Sequence, residues 1–147
     1  MGSPNDRVAA DPIAAAIPEV RNVCGRTDLG TAIDLLATAS VVVSNDSGLM
    51  HVAAAFGVPQ VAVFGSTSPL HTPPLNERAR VLWLKEELQL DCMPCFDRTC
   101  RFGHYRCLTS VAPDRVESAL HQAASASGAT TSPAPPSRRE GLGREQS

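Results

Sequence analysis

Val41-Val42-Val43-Ser44-Asn45-Asp46-Ser47-Gly48-Leu49-Met50-His51-Val52-Ala53-Ala54-Ala55 is an apolar, β-branched run that ends in a polar turn and restarts as a segment of small helix-forming residues. Val41 to Ser44 suits a strand, and Gly48 to Phe56 a short helix closed by Gly57 and Pro59. Gln60 to Phe64 reads as a second strand. A helix of that length carries the chain about 15 Å, close to the roughly 16 Å of a five-residue strand, so the segment fits a parallel strand–helix–strand crossover. The loops Asn45-Asp46-Ser47-Gly48 and Gly65-Ser66-Thr67-Ser68-Pro69 then meet at one edge of the sheet. Open α/β sheets bind ligands at that carboxyl edge. The first N–H groups of the helix have no partners in its own ladder, and its dipole favours an anion there, so a phosphate or diphosphate is the expected ligand.

Upstream, Met1 to Asp6 has loop composition, and Arg7 to Ile17 predicts a short helix interrupted at Pro12. Thr27 suits an N-cap, with Asp28 in the first turn and Leu29, Ala32, Ile33 and Leu36 repeating at helical spacing to about Thr38. Downstream, Arg80 to Leu84 predicts a further strand. Pro113 suits a first helical position, and Val116, Ala119, Leu120 and Ala123 form an apolar stripe to about Ala124. The expected domain spans 1–124. Residues 125–147 are rich in Ser, Ala, Pro, Gly and charge and are expected to be disordered.

With 147 residues, 43% of them apolar, the chain has material for one ordinary core. A net charge of −2 from 13 basic and 15 acidic residues leaves no broad electropositive face, so nucleic acid is not an expected partner. No apolar run approaches the roughly 20 residues of a transmembrane helix, and the N-terminus lacks the pattern of a secretory signal, from which a cytoplasmic location is expected.

Gly25-Arg-Thr27, Ser44-Asn-Asp-Ser-Gly-Leu-Met-His-Val-Ala-Ala-Ala55, Phe64-Gly-Ser-Thr-Ser-Pro69, Thr72-Pro-Pro74 and Cys92-Met-Pro-Cys-Phe-Asp-Arg-Thr-Cys100 with Gly103-His104 and Cys107 occur in this order. Together they resemble the bacterial ADP-heptose:lipopolysaccharide heptosyltransferases of glycosyltransferase family 9, over about Gly2 to Leu120. The resemblance implies a GT-B glycosyltransferase, with two Rossmann-like domains across a cleft, of which this chain is most of the C-terminal, sugar-nucleotide-binding one. The expected fold class is therefore α/β, a Rossmann-like parallel sheet with flanking helices. The implied reaction is transfer of heptose from an ADP-heptose donor to the heptose already on the lipopolysaccharide inner core. The lipopolysaccharide acceptor implies peripheral association with the inner face of the inner membrane.

Asp46, Ser47, Gly48 and His51 inherit candidate substrate-binding roles, with Ser66 and Thr67 as further candidates at the same edge. Ser47 offers a hydroxyl and a backbone N–H to phosphate, and Gly48 lets the backbone approach closely. Asp46 would repel a diphosphate, so it suits sugar hydroxyls or capping; His51, if protonated, neutralises a departing diphosphate. Asp46 and Ser47 also read as an ordinary N-cap pair, and His51 as a locally hydrogen-bonded imidazole. Asp6 falls near the family position where an acidic residue holds the ribose.

Cys92, Cys95, Cys100, His104 and Cys107 supply enough soft and imidazole donors for a tetrahedral site, so a structural zinc is a candidate, beside reduced packing thiols or acceptor contacts. The chemistry itself needs no cofactor. Inverting glycosyl transfer needs a base and fixed positive charge at the leaving diphosphate. The resemblance places both outside this chain, so no catalytic residue is assigned within it. Two alternatives remain: a stand-alone nucleotide-phosphate-binding module without catalysis, and a small Cys-rich metal-binding interaction domain.

Overall fold

A computed structural model describes residues 1–126; the expectation of a disordered tail at 127–147 lies outside the described residues. A single 3-10 turn, Pro4–Asp6, leads into α1 (Arg7–Ala16). Then follow α2 (Leu29–Ala37), β1 (Val42–Asn45), α3 (Gly48–Ala55), β2 (Gln60–Phe64), β3 (Ala79–Trp83), α4 (Lys85–Leu88), α5 (Arg106–Thr109) and α6 (Pro113–Ser125).

The three strands form one parallel sheet in the order β1-β2-β3. Val42 lies opposite Gln60, and Gln60 opposite Ala79, so the three carboxyl ends share one edge. Because strand residues alternate between faces, β2 sorts its side chains to two cores. Ala62 and Phe64 pack with Met50 of α3 and with Trp83. Val61 and Val63 pack with Leu82 and with Val116, Ala119 and Leu120 of α6. The sheet is thus covered by α3 on one face and α6 on the other, the arrangement that a strand buried on both sides requires. Gln60 is the exception in β2. It is fully buried, and neither amide atom meets a hydrogen-bond partner among the described residues.

β1 is an edge strand among the described residues. Val42 and Asp46 donate to the carbonyls of Pro59 and Val63 (2.9 and 3.3 Å), so the alternate N–H groups of Val43 and Asn45 face away from the sheet. Val43 is 49% exposed.

The expected elements are present with shifted ends. β1 and β3 sit one residue from the expected positions. Helix α1 continues through Pro12 instead of breaking there; the proline removes only the bond to the Val8 carbonyl, and Val8 is 85% exposed, where water can take that carbonyl. The cap of α2 is Asp28 rather than Thr27, because its carboxylate reaches the Thr31 N–H (2.7 Å). Leu29, counted in the apolar stripe, is exposed. Helix α6 includes Ser125, the first residue of the expected tail. The short helices α4 and α5 were not expected from the sequence.

Candidate functional site

The polar turn lies where β1 meets α3. Ser47 is the N-cap, its carbonyl and hydroxyl oxygens accepting the Met50 N–H at 3.1 and 3.4 Å. The N–H groups of Gly48 and Leu49, at the first two helical positions, lie outside the helix's own ladder. Gly48 has open space around it: a Cβ there would meet nothing within 4 Å.

A groove of about 740 Å³ runs beside this turn, within the roughly 300–1,000 Å³ of small-molecule sites. Ser44, Asn45, Ser47 and Gly48 line one part of it, Leu29, Leu36, Leu49 and Val52 an apolar part, and Met1, Gly2 and Asp6 the N-terminal part. The N-terminal segment is held in place by long-range bonds: Arg7 donates to the Cys24 carbonyl (2.9 Å) and Gly25 N–H to the Gly2 carbonyl (2.8 Å). The Ser3 hydroxyl and backbone N–H donate to one Asp6 oxygen (2.7 and 2.6 Å) and hold its carboxyl below the usual carboxylate range. The ionised Asp6 thus reaches the same groove as Ser47 and Gly48, forty residues along the chain.

The other candidates separate. Asp46 lines neither the groove nor the cavity described below; its two carboxylate oxygens lie 3.4 Å from the Thr72 hydroxyl. That bond links the loop after β1 to the loop after β2. Thr72 was legible only as part of a sequence motif and carried no assigned role. His51 is exposed on the first turn of α3 and lines neither space, as is true of the half-buried Thr67. Ser66 accepts the Phe96 N–H on its carbonyl (2.8 Å) and lines a second, smaller cavity of about 70 Å³.

Cys92, Cys95, Cys100, His104 and Cys107 all line that second cavity. The backbone N–H of Tyr105 foremost, with those of Phe102, His104 and Gly103, holds the Cys100 thiol below its usual range against partial desolvation. Burial foremost pushes the Cys107 thiol up, and the nearness of Cys95, Cys100 and Cys92 adds to it. The five cysteines, including the buried Cys24, are free thiols. Among the described residues no group of three or more His, Cys, Asp or Glu is set to hold a metal ion, so the expected ligand set is gathered in one place without a preformed geometry. No described helix is long and apolar enough to cross a membrane.

The family model for glycosyltransferase family 9 (heptosyltransferase) matches residues 1–106, which takes in the sheet, the polar turn and most of the cysteine segment. Lipooligosaccharide heptosyltransferase 2 of Haemophilus ducreyi is 38% identical over 129 residues, covering 83% of this chain and 36% of the relative. Lipopolysaccharide heptosyltransferase 2 of Escherichia coli K12 is 47% identical over 89 residues, 57% of this chain and 26% of the relative. The solved structure of E. coli ADP-heptose LPS heptosyltransferase II superposes with a TM-score of 0.67 at 37% identity, over 84% of this chain and 34% of that one. The chain thus spans about a third or less of the length of these relatives. A parallel α/β sheet of this connectivity, carrying these motifs in this order, belongs to glycosyltransferase family 9, the heptosyltransferases.

Proposed function

We propose that this chain is the donor-binding part of a lipopolysaccharide heptosyltransferase, holding ADP-heptose for transfer to a heptose of the lipopolysaccharide inner core. One observation carries the reading. The Ser47-Gly48 turn opens α3 at the carboxyl end of β1, on the wall of a groove of nucleotide-sugar size. The diphosphate lies against the Gly48 and Leu49 N–H groups and the Ser47 hydroxyl, where the helix dipole offsets its charge. Asp6 accepts ribose hydroxyls at the far part of the groove. Asp46, held by the Thr72 hydroxyl, aligns the loops after β1 and β2 from outside the groove. His51, Ser66 and Thr67 lie outside the groove and take no donor contact in this reading.

No base for the acceptor hydroxyl and no cation for the leaving group are assigned within this chain, so both come from the rest of a longer protein. The work is cytoplasmic, at the inner face of the inner membrane, where a lipid-anchored acceptor is reached by peripheral association. In calorimetric titration the 147-residue chain is expected to bind ADP weakly and saturably, and in a transfer assay with ADP-heptose and an inner-core acceptor to give no product. A flat titration up to about millimolar ADP sinks the donor-site reading; measurable transfer sinks the placement of catalysis elsewhere.

A further inference from the structure

We propose that Cys92, Cys95, Cys100 and Cys107 bind one zinc ion as a four-thiolate site that fixes their loop against the carboxyl edge of the sheet. All four line one cavity of about 70 Å³, far below the roughly 300–1,000 Å³ that a nucleotide or sugar takes. An ion fits where an organic ligand does not. Their spacing, C-x2-C-x4-C-x6-C, begins with the short pair common to structural zinc sites.

The backbone supports the same reading. Phe96, directly after Cys95, has φ 57°, and Gly103, three residues after Cys100, has φ 69°. A side chain at φ near +60°, as at Phe96, is costly unless its surroundings hold it there, and beyond Cys100 the chain returns far enough to bring His104 Nδ1 within 4.0 Å of its sulfur. Between α4 and α5, residues 89–105 contain no helix or strand, and from Asp91 to Cys107 only Met93 is buried. A loop of that length with so little core needs another tie. It has one attachment to the donor edge in the Phe96–Ser66 bond (2.8 Å) and another in Leu108, whose side chain occupies the space where a Cβ on Gly65 would lie.

Among the described residues no three of these donors are set to hold an ion, so its capture must draw the thiols together. Such coupling of binding to local ordering is general for small metal sites. His104 is assigned to the outer layer, because its Nδ1 already accepts the Arg106 N–H (3.1 Å) and sits 4.0 Å from Cys100 Sγ. Four thiols release four protons to solvent as four S–Zn bonds form. The resulting complex carries two negative charges beside Arg98 on the cavity wall, where Arg101 is already paired with Asp97.

The test is titration of the reduced full chain with Co²⁺, then Zn²⁺, under anaerobic conditions. The expected result is a stoichiometric sulfur-to-cobalt charge-transfer band with tetrahedral ligand-field bands, both displaced by Zn²⁺. Cys100→Ser and Cys107→Ser should each weaken binding by more than the roughly 10–100-fold of an outer-layer change, while Cys24→Ala, away from the cavity, leaves it intact. For variants that do not fold, the unaltered chain supplies the answer: Zn²⁺ should protect these four thiols from alkylation, read by peptide mass. No charge-transfer band, a band that survives loss of Cys100 or Cys107, or alkylation indifferent to Zn²⁺ overturns the proposal. The result is independent of donor binding, since neither ADP nor transfer is read.

Discussion

Gly48 separates the demands of folding from those of ligand binding. Its position has no neighbour within 4 Å of a built Cβ, and its φ lies outside the left-handed region. The fold therefore does not require glycine there, and alanine is the better helix former. The donor does require it if the diphosphate lies against the helix N-terminus, since a methyl group stands between phosphate and backbone. Gly48→Ala is expected to leave unfolding free energy within about 0.5 kcal/mol while lowering ADP affinity about tenfold, or roughly 1.4 kcal/mol. Chemical denaturation and calorimetry read the two effects separately. Equal affinity in the variant would place the diphosphate elsewhere. Asp46 teaches the converse: its type at the head of a helix suggested a cap, yet Ser47 caps α3, and Asp46 is turned to Thr72, 26 residues away. No local pattern encodes that pairing.

Ionised carboxylates hold several elements at their ends. Asp28 caps α2, its carboxyl held below the usual range by the backbone N–H of Thr31 and then by that residue's side chain. Glu87 of α4 forms a two-pronged pair with Arg115 of α6, whose hydrogen bonds lower its pKa most. In each case the folded state favours the charged form, so the unfolded state binds more protons in acid. The stabilisation is complete above the ordinary carboxylate pKa, near about 4, and is lost as pH falls through the depressed folded values. All three groups, Asp6 included, are exposed, so salt screens the effect. Melting temperature is expected to hold from neutral pH to about 5 and to fall below about 4, and Asp28→Asn, which keeps an acceptor without titrating there, should flatten part of that fall. An unchanged acid slope in Asp28→Asn would remove the cap from this account.

The same elements mark what could be read in the chain. The β1–α3–β2 unit was legible because β-branched runs, a polar turn and Gly57 with Pro59 punctuate it within about twenty residues. Helices α4 and α5 were not, since four residues complete barely one turn and leave no period to detect. The groove was half legible: the Ser47-Gly48 wall follows from local sequence, whereas Asp6 reaches it only through the Arg7–Cys24 and Gly25–Gly2 bonds.

At the scale of the molecule, one short strand joins two cores. Phe64 is completely buried in the Met50–Ala62 cluster, and its neighbour Val63 packs in the opposite one. Truncating Phe64 to alanine is expected to cost about 3–5 kcal/mol, a large share of the about 5–15 kcal/mol typical of a domain. Urea unfolding should show that loss as a shifted midpoint; a loss under about 1 kcal/mol would mean that the α3 face contributes little to cohesion.

The exposed side of β1 leaves an unpaired strand edge among the described residues. Val43 and Asn45 offer backbone donors to whatever extended peptide comes near, with an apolar side chain beside them and no proline or lysine in the strand to discourage it. In a concentrated solution such an edge favours pairing between chains, and since Val43 and Asn45 also line the groove, a lysine at position 43, the gatekeeper that natural sheet edges commonly carry, would stand on the groove's own wall.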